Sequence, residues 1–404
     1  VVVIAAIVGC AIASALRRLT EDGPENAAMT ATPDEPRPAT AVAPVAIVGA
    51  GLAGLRAARL LEAAGVRGAV LFEAQPTLGG RILSEPAGAA DRVDLGPTWF
   101  WPEHQPDLSR LIDELGLPRF AQFDTGDLLL ERHPGAPPER VRSPWETPVS
   151  MRVQGGMAGL TEALHAGLRH TRVLGAHRVL HLAVHDAGVE LTVQGPAGEP
   201  DRWQAGHVLL ALPPRLAAGL GCTPPLPPAL QQAWQHTPTW MAPHAKYVAV
   251  YDTPFWRAQG LSGQARSALG PLGEIHDASP PQGGGSLFGF FGVPASARLR
   301  AGEGALRQMA RAQLQRLFGP AAGAPQAEFF KDWAASPQTA TAADLQDAPA
   351  HHAPAPAAAA ASGPWAGRIT GIGSEWSPQY PGYLAGAVEA AQDGVAAWLA
   401  GRQP

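Results

Sequence analysis

Three groups of residues in this chain have types and spacings suited to chemistry. Gly49, Gly51 and Gly54 stand at the G-x-G-x-x-G interval in VAIVGAGLAG (45–54). Glycines so spaced let a backbone come very close to a phosphorylated group. Glu73 follows 24 residues after Gly49, and AQPTLGGRI closes on Gly79, Gly80 and Arg81. A carboxylate there suits ribose hydroxyls, and the fixed fork of an arginine suits phosphate oxygens. The third is Lys246 in HAKYVAVYDTPFWR (244–257), one of only two lysines in the chain, the other being Lys331. An ammonium in a buried strand is costly unless it has partners, so its retention there points to use.

Those side chains need elements to position them. PVAIVGA (44–50) reads as a buried parallel strand and GLAGLRAARLLEAAG (51–65) as a helix with one apolar face, while VLFEA (70–74) reads as a second strand. In such a unit Gly49 permits the tight turn, Gly51 admits a pyrophosphate, and Gly54 lets helix and strand pack closely. Leu52 and Ala53 open the helix whose N-terminus faces the phosphates, and Glu73 and Ala74 end the second strand. Strand, helix and distal acid together make a dinucleotide fingerprint. Further on, HRVLHLAVHDAGVELTVQ (177–194) alternates like a hairpin, and HVLLALPPRLA (207–217) reads as another strand.

Composition sets the frame. The chain has 404 residues, which suggests two domains or one with a large insert, and its net charge is −5. No lysine or arginine stripe argues for nucleic acid. Cys10 and Cys222 offer neither a disulfide framework nor a metal site. The N-terminal VVVIAAIVGCAIASAL is a 16-residue apolar run followed by Arg17 and Arg18. It is short for a spanning helix, and its charges follow the run where a signal peptide's would precede it. The expectation is that translation begins at Met29, that residues 19–43 are a disordered lead-in, and that the protein is cytoplasmic. The alternative is a membrane anchor in residues 1–16 with the remainder on the cytoplasmic side.

From about residue 44 onward the chain resembles the flavin-containing amine oxidase family, which includes monoamine, polyamine and L-amino-acid oxidases. Glu73, Gly79, Gly80 and Arg81 match its E-x-x-x-x-x-G-G-R signature. The resemblance implies an α/β fold: a Rossmann-like FAD-binding domain of two-dinucleotide-binding-domain type, interleaved with an α+β substrate-binding domain. Residues 44–100, 150–215 and 365–404 would form the first, and residues 101–149 and 216–364 the second. VDLGPTWFWP (93–102) is similar to the stretch beside the flavin, so Pro97, Thr98 and Trp99 become candidate flavin contacts. QGGMAGLTEAL (154–164) is similar to a glycine turn that opens a helix. By the same resemblance the backbone of Val179 meets the adenine, Trp333 packs near the flavin, and Glu375 meets its ribityl–phosphate part. Tyr383 would form one wall of a substrate cage, with the backbone N–H of Leu384 facing the flavin pyrimidine. Lys246 falls on the lysine that holds a water against flavin N5, whereas Lys331 is expected to be solvated.

The departures from the family also carry expectations. Residues 334–374 contain no cysteine, so FAD should be noncovalent, and the region holds no second cage aromatic before Trp365. Trp99 or Tyr380 would then supply the second wall. His351 and His352 are expected to be solvated, since adjacent histidines do not share one helical or strand face. The implied reaction is oxidation of an amine or amino-acid C–N bond, with imine hydrolysis and dioxygen reduced to hydrogen peroxide. The partners are then a small amine and dioxygen. Two alternatives stay open: a desaturase-type flavoenzyme acting on C–C bonds, and a flavin-binding protein without turnover.

Overall fold

Ala46–Val48 is a strand of three fully buried residues, paired in parallel with Val70–Phe72 on one side and Val208–Leu210 on the other. Ile369–Gly371 and Arg172–Leu174 extend the sheet at its two edges, also in parallel. The five strands run in the order Ile369, Val208, Ala46, Val70 and Arg172. Such short, wholly apolar strands belong to a sheet covered on both faces. One cover is the helix Leu52–Ala63, whose buried face shares a core with the C-terminal helix Leu384–Ala400. The other is a four-stranded sheet built on the hairpin Arg178–His185 and Gly188–Gln194. These include the strand–helix–strand unit and the hairpin that periodicity predicts. In the computed structural model residues 42–88, 92–142, 148–345 and 353–402 are described. The expectations for residues 1–28, His351 and His352 lie outside the described residues.

The second large sheet has seven strands. In spatial order they are Ala327–Asp332, Ala245–Tyr251, Gly285–Phe291, Leu272–Asp277, Leu261–Ser267, Asp127–Glu131 and Glu139–Arg142. Every residue of Ala245–Tyr251 is buried, and the strand's period of two decides what each faces. Ala245, Tyr247, Ala249 and Tyr251 pack with the helix Glu303–Phe318 through Leu306, Ala310 and Leu314. Val248 and Val250 pack on Val93 and Leu95 of the strand Arg92–Gly96. Lys246 is on that second face, turned toward the dinucleotide-binding half of the molecule. The architecture is therefore a Rossmann-like domain interleaved with a mixed α+β domain. Among the described residues no helix is long and apolar enough to cross a membrane.

Candidate active site

One cavity of about 930 Å³ runs from the first glycine turn to the seven-stranded sheet. At its near end Gly49 has φ +104°, a conformation glycine adopts without strain. The helix Leu52–Ala63 starts at Gly51 with no side-chain cap, so its first-turn N–H groups keep the capacity to bind an anion. Gly49, Gly51, Leu52 and Ala53 all line the cavity, as do Glu73, Ala74, Gly80 and Arg81. Gly54 does not line it. A Cβ there would stand 1.9 Å from the carbonyl oxygen of Gly49, so this glycine is needed for packing of helix on strand.

The acid and the arginine are both held in place. Glu73 is buried and accepts the N–H of Ala50 on Oε2 at 2.8 Å and that of Gln75 on Oε1 at 2.9 Å. A carboxylate has about four acceptor sites, so two remain for ribose hydroxyls. Arg81 donates from Nη1 to Glu375 Oε1 at 2.5 Å, and from Nη2 to Glu375 Oε2 and Ser374 Oγ at 3.0 Å each. Burial opposes the charge on Arg81, but the Glu375 carboxylate outweighs it and raises the guanidinium's pKa further. Glu375 itself is not on the cavity wall; Arg81 and Ser374 are. Its place in the structure is behind Arg81, clamping it. Val179 lines the cavity at a bulge in the hairpin, and Leu384 lines it at the start of the C-terminal helix.

Lys246 stands at the far end, 2% exposed. Its Nζ donates to Thr98 Oγ1 and lies 3.8 Å from the centroid of Phe288 and 5.7 Å from that of Phe290. Burial pushes its pKa down to about 7; Asp94 pulls it up and Arg152 pushes it further down. The same burial raises the Asp94 carboxyl. Pro97, Thr98, Trp99 and Trp333 share the wall with Lys246. Trp333 donates from Nε1 to the carbonyl of Leu95 at 3.1 Å and fits against Gly96, where a Cβ would crowd it. Lys331, expected to be solvated, is half-buried with Nζ 4.8 Å over the Trp333 ring.

The aromatic walls differ from the sequence reading. Tyr383, at the N-cap of the last helix, lines the cavity between two tryptophans. Trp240 stands 5.6 Å away at 45°, and Trp101 stands 6.3 Å away, edge-on at 86°. Trp99 is on the Lys246 side, 4.7 Å from His276 and 5.2 Å from Phe288. Tyr380 is not on the main cavity; it lines a shallower recess of about 300 Å³ beyond Tyr383, with His104 and Pro148. Trp240 was not anticipated. Its only signal was an aromatic in TPTWMAP, five residues before the start of the Lys246 strand, and only the fold turns that loop toward Tyr383.

The uncapped helix start, the glycine turn, the two open acceptor sites on Glu73 and the continuous cavity suit a long dinucleotide-type cofactor. They define a dinucleotide-cofactor protein whose second sheet closes the reactive end. The flavin containing amine oxidoreductase family matches residues 146–397, and a NAD(P)-binding Rossmann-like domain matches residues 47–115. The chain belongs to the flavin-containing amine oxidoreductase family, and its cradle is a flavin site of the FAD type. A putative flavin-containing monoamine oxidase of Mycobacterium tuberculosis, AofH, is 41% identical over 141 residues, 34% of this chain and 29% of that protein. The chain thus spans under a third of that relative in the match. A putrescine oxidase of Kocuria rosea is 26% identical over 373 residues, covering 63% of this chain and 76% of that one. The solved structure of a wild-type putrescine oxidase bound to putrescine superposes with a TM-score of 0.74 at 22% identity, covering 90% of this chain and all of that one.

Proposed function

We propose that the protein is an FAD-dependent oxidase of an amine or amino-acid C–N bond, with FAD held noncovalently and dioxygen as electron acceptor. The observation that carries this reading is Lys246, a nearly fully buried lysine on the cavity wall where the dinucleotide cradle meets the aromatic side chains. Bound there, FAD would supply the two-electron redox chemistry between the carbon–nitrogen bond and dioxygen, with hydrogen peroxide as the reduced product. The chain's own residues do the rest. Tyr383 and Trp240 hold the substrate's alkyl part and exclude bulk water, and Thr98 fixes the Lys246 ammonium at the reactive end. Lys246 presents its remaining donors to a water on the flavin side. The uncapped start of the C-terminal helix at Tyr383 and Leu384 favours negative charge beside it.

Residues 44–100, 150–215 and 365–404 serve as the cofactor domain in this reading, and residues 101–149 and 216–364 bind the substrate. Noncovalent FAD is supported by the absence of cysteine from residues 334–374. Purified protein should be yellow, acid precipitation should release FAD into the supernatant, and aerobic incubation with substrate amine should yield one hydrogen peroxide per amine consumed. Flavin retained in the precipitate would contradict the noncovalent reading. Amine consumption without peroxide would contradict dioxygen as the acceptor.

A further inference from the structure

On the cavity face of the seven-stranded sheet, four side chains stand in register across four adjacent strands. Lys246 is opposite Phe290, Phe290 is opposite Glu274, and Glu274 is opposite Arg266. All four line the cavity. Directly opposite residues share a face, so they form one row with a cation at each end. Strand spacing sets the strands of Lys246 and Arg266 about 14 Å apart across the sheet. Between them Gly273 and Gly292 meet with no side chain, each placing an added Cβ 3.6 Å from the other's Cα, and both line the cavity.

The charges at the far end are unevenly satisfied. His276 donates from Nε2 to Glu274 Oε1 at 2.6 Å, and Arg266 Nη1 pairs with Glu274 Oε2. Burial alone would raise the Glu274 carboxyl, but His276 first and Arg266 next hold it down at about 2. Burial keeps His276 toward its neutral form. Glu274 therefore has a donor on each oxygen, and Arg266 and Glu274 cancel in charge. The guanidinium carries five N–H donors, and among the described residues Glu274 is its one ion-pair partner. Arg266 is also the more accessible of the two, with 53% of its side chain exposed against 34% for Glu274. What this end of the cavity has in surplus is donors.

Resting on the amine-oxidase reading above, we infer that Arg266 is the binding site for a carboxylate at the far end of the substrate, so that the substrate class is a long amine ending in a carboxylate. Its amine end is oxidised beside Lys246, its chain crosses Phe290, and its acid end meets the Arg266 fork, which matches a carboxylate bidentately. A distal ammonium fits less well, because the more exposed charge at this end is the Arg266 guanidinium, which repels it. An α-amino acid would put its carboxylate beside the carbon under attack, three strands away from Arg266.

The test is kcat/KM of the flavin-loaded protein for three amines of equal chain length: an alkylamine, an α,ω-diamine and an ω-amino carboxylate. The ω-amino carboxylate is expected to exceed the alkylamine by tenfold or more, chiefly through KM. Arg266→Gln should reduce that ratio to near one, and Arg266→Lys, which keeps the charge without the fork, should retain part of it. Flavin content of each variant shows that it folds, and the ratio within one variant cancels any general loss. A wild-type preference for the diamine, no preference, or a ratio unchanged in Arg266→Gln would overturn the Arg266 site while leaving the amine-oxidase reading intact. Oxidation of none of the three would overturn the Arg266 site, and the amine-oxidase reading would then stand or fall on whether any other amine or amino acid bleaches the flavin.

Discussion

The cofactor cradle and the wall that faces it are built by opposite means. The cradle is backbone: a glycine turn, an uncapped helix start and one carboxylate, all from the contiguous stretch 45–81. The facing wall is side chains drawn from far apart in the chain, with Lys246, Phe290, Glu274 and Arg266 aligned only by strand register and Tyr383 brought in from the last helix. A cradle made of backbone tolerates little change in shape but many changes in surrounding sequence. A wall made of side chains can be retuned one residue at a time. Substrate choice is thus expected to vary where cofactor binding does not.

The sharpest way to break the comparison is at Gly54. Gly54→Ala puts a methyl 1.9 Å from the Gly49 carbonyl oxygen, and overpacking of this kind costs about 3 kcal/mol or more when backbone must move. Protein without flavin is the expected result, measured by absorbance after purification. Gly304→Ala is the matched control: it is helical with nothing within 4 Å, and it should leave flavin content unchanged.

Next in size is Glu73→Ala, which removes the carboxylate that also accepts the Ala50 and Gln75 N–H groups. Losing a hydrogen bond to a charged group costs about 1.5–3 kcal/mol, or roughly 10- to 100-fold in FAD affinity. Equilibrium dialysis against FAD reads this directly, and an unchanged affinity would remove Glu73 from the cradle.

On the wall, Lys246→Met keeps the bulk of the side chain and removes its charge and donors. At least one of the two half-reactions should slow about tenfold or more, equivalent to about 1.4 kcal/mol in the barrier. The sign of the pH dependence follows from the lysine's pKa of about 7. Below that pH Lys246 is the ammonium, and above it the neutral amine. If the ammonium carries the effect, the wild-type rate of reoxidation by dioxygen falls as pH rises through about 7, while in Lys246→Met it is flat. Stopped-flow mixing of reduced protein with dioxygen contains no substrate amine, so the step reports on the protein alone.

The smallest effect is expected at Trp240. Trp240→Leu keeps an apolar wall but removes the ring facing Tyr383, and such an aromatic pair contributes about 0.5–1.5 kcal/mol. A rise in KM of about 2- to 10-fold with kcat little changed is the outcome consistent with a cage wall. An equal loss in kcat would instead make Trp240 part of the reactive geometry.

Legibility in the sequence follows the same division. Gly49, Gly51, Gly54 and Glu73 could be assigned roles from spacing because strand, helix and strand are consecutive and each role is local. Lys246 was recognisable because a lysine in a run as apolar as Ala245–Tyr251 is anomalous. Trp240 and Arg266 were not. One lies in a connecting loop and the other in a strand of mixed burial, and their contribution depends on what the tertiary fold sets across from them. Glu375 shows a third case: its acidity was legible, but only the fold shows that Arg81 takes up both its oxygens. Tyr380 and Tyr383 are three residues apart in one turn, yet only Tyr383 reaches the main cavity.

The central claim is that this cradle and this wall together oxidise a C–N bond. Anaerobic stopped-flow mixing of flavin-loaded protein with a panel of amines tests it most directly. The account predicts that at least one amine bleaches the oxidised flavin band within the time of a single turnover, with a rate that saturates in amine concentration. A flavin that stays oxidised with every amine, but is bleached by a substrate offering only a C–C bond to oxidise, would contradict it.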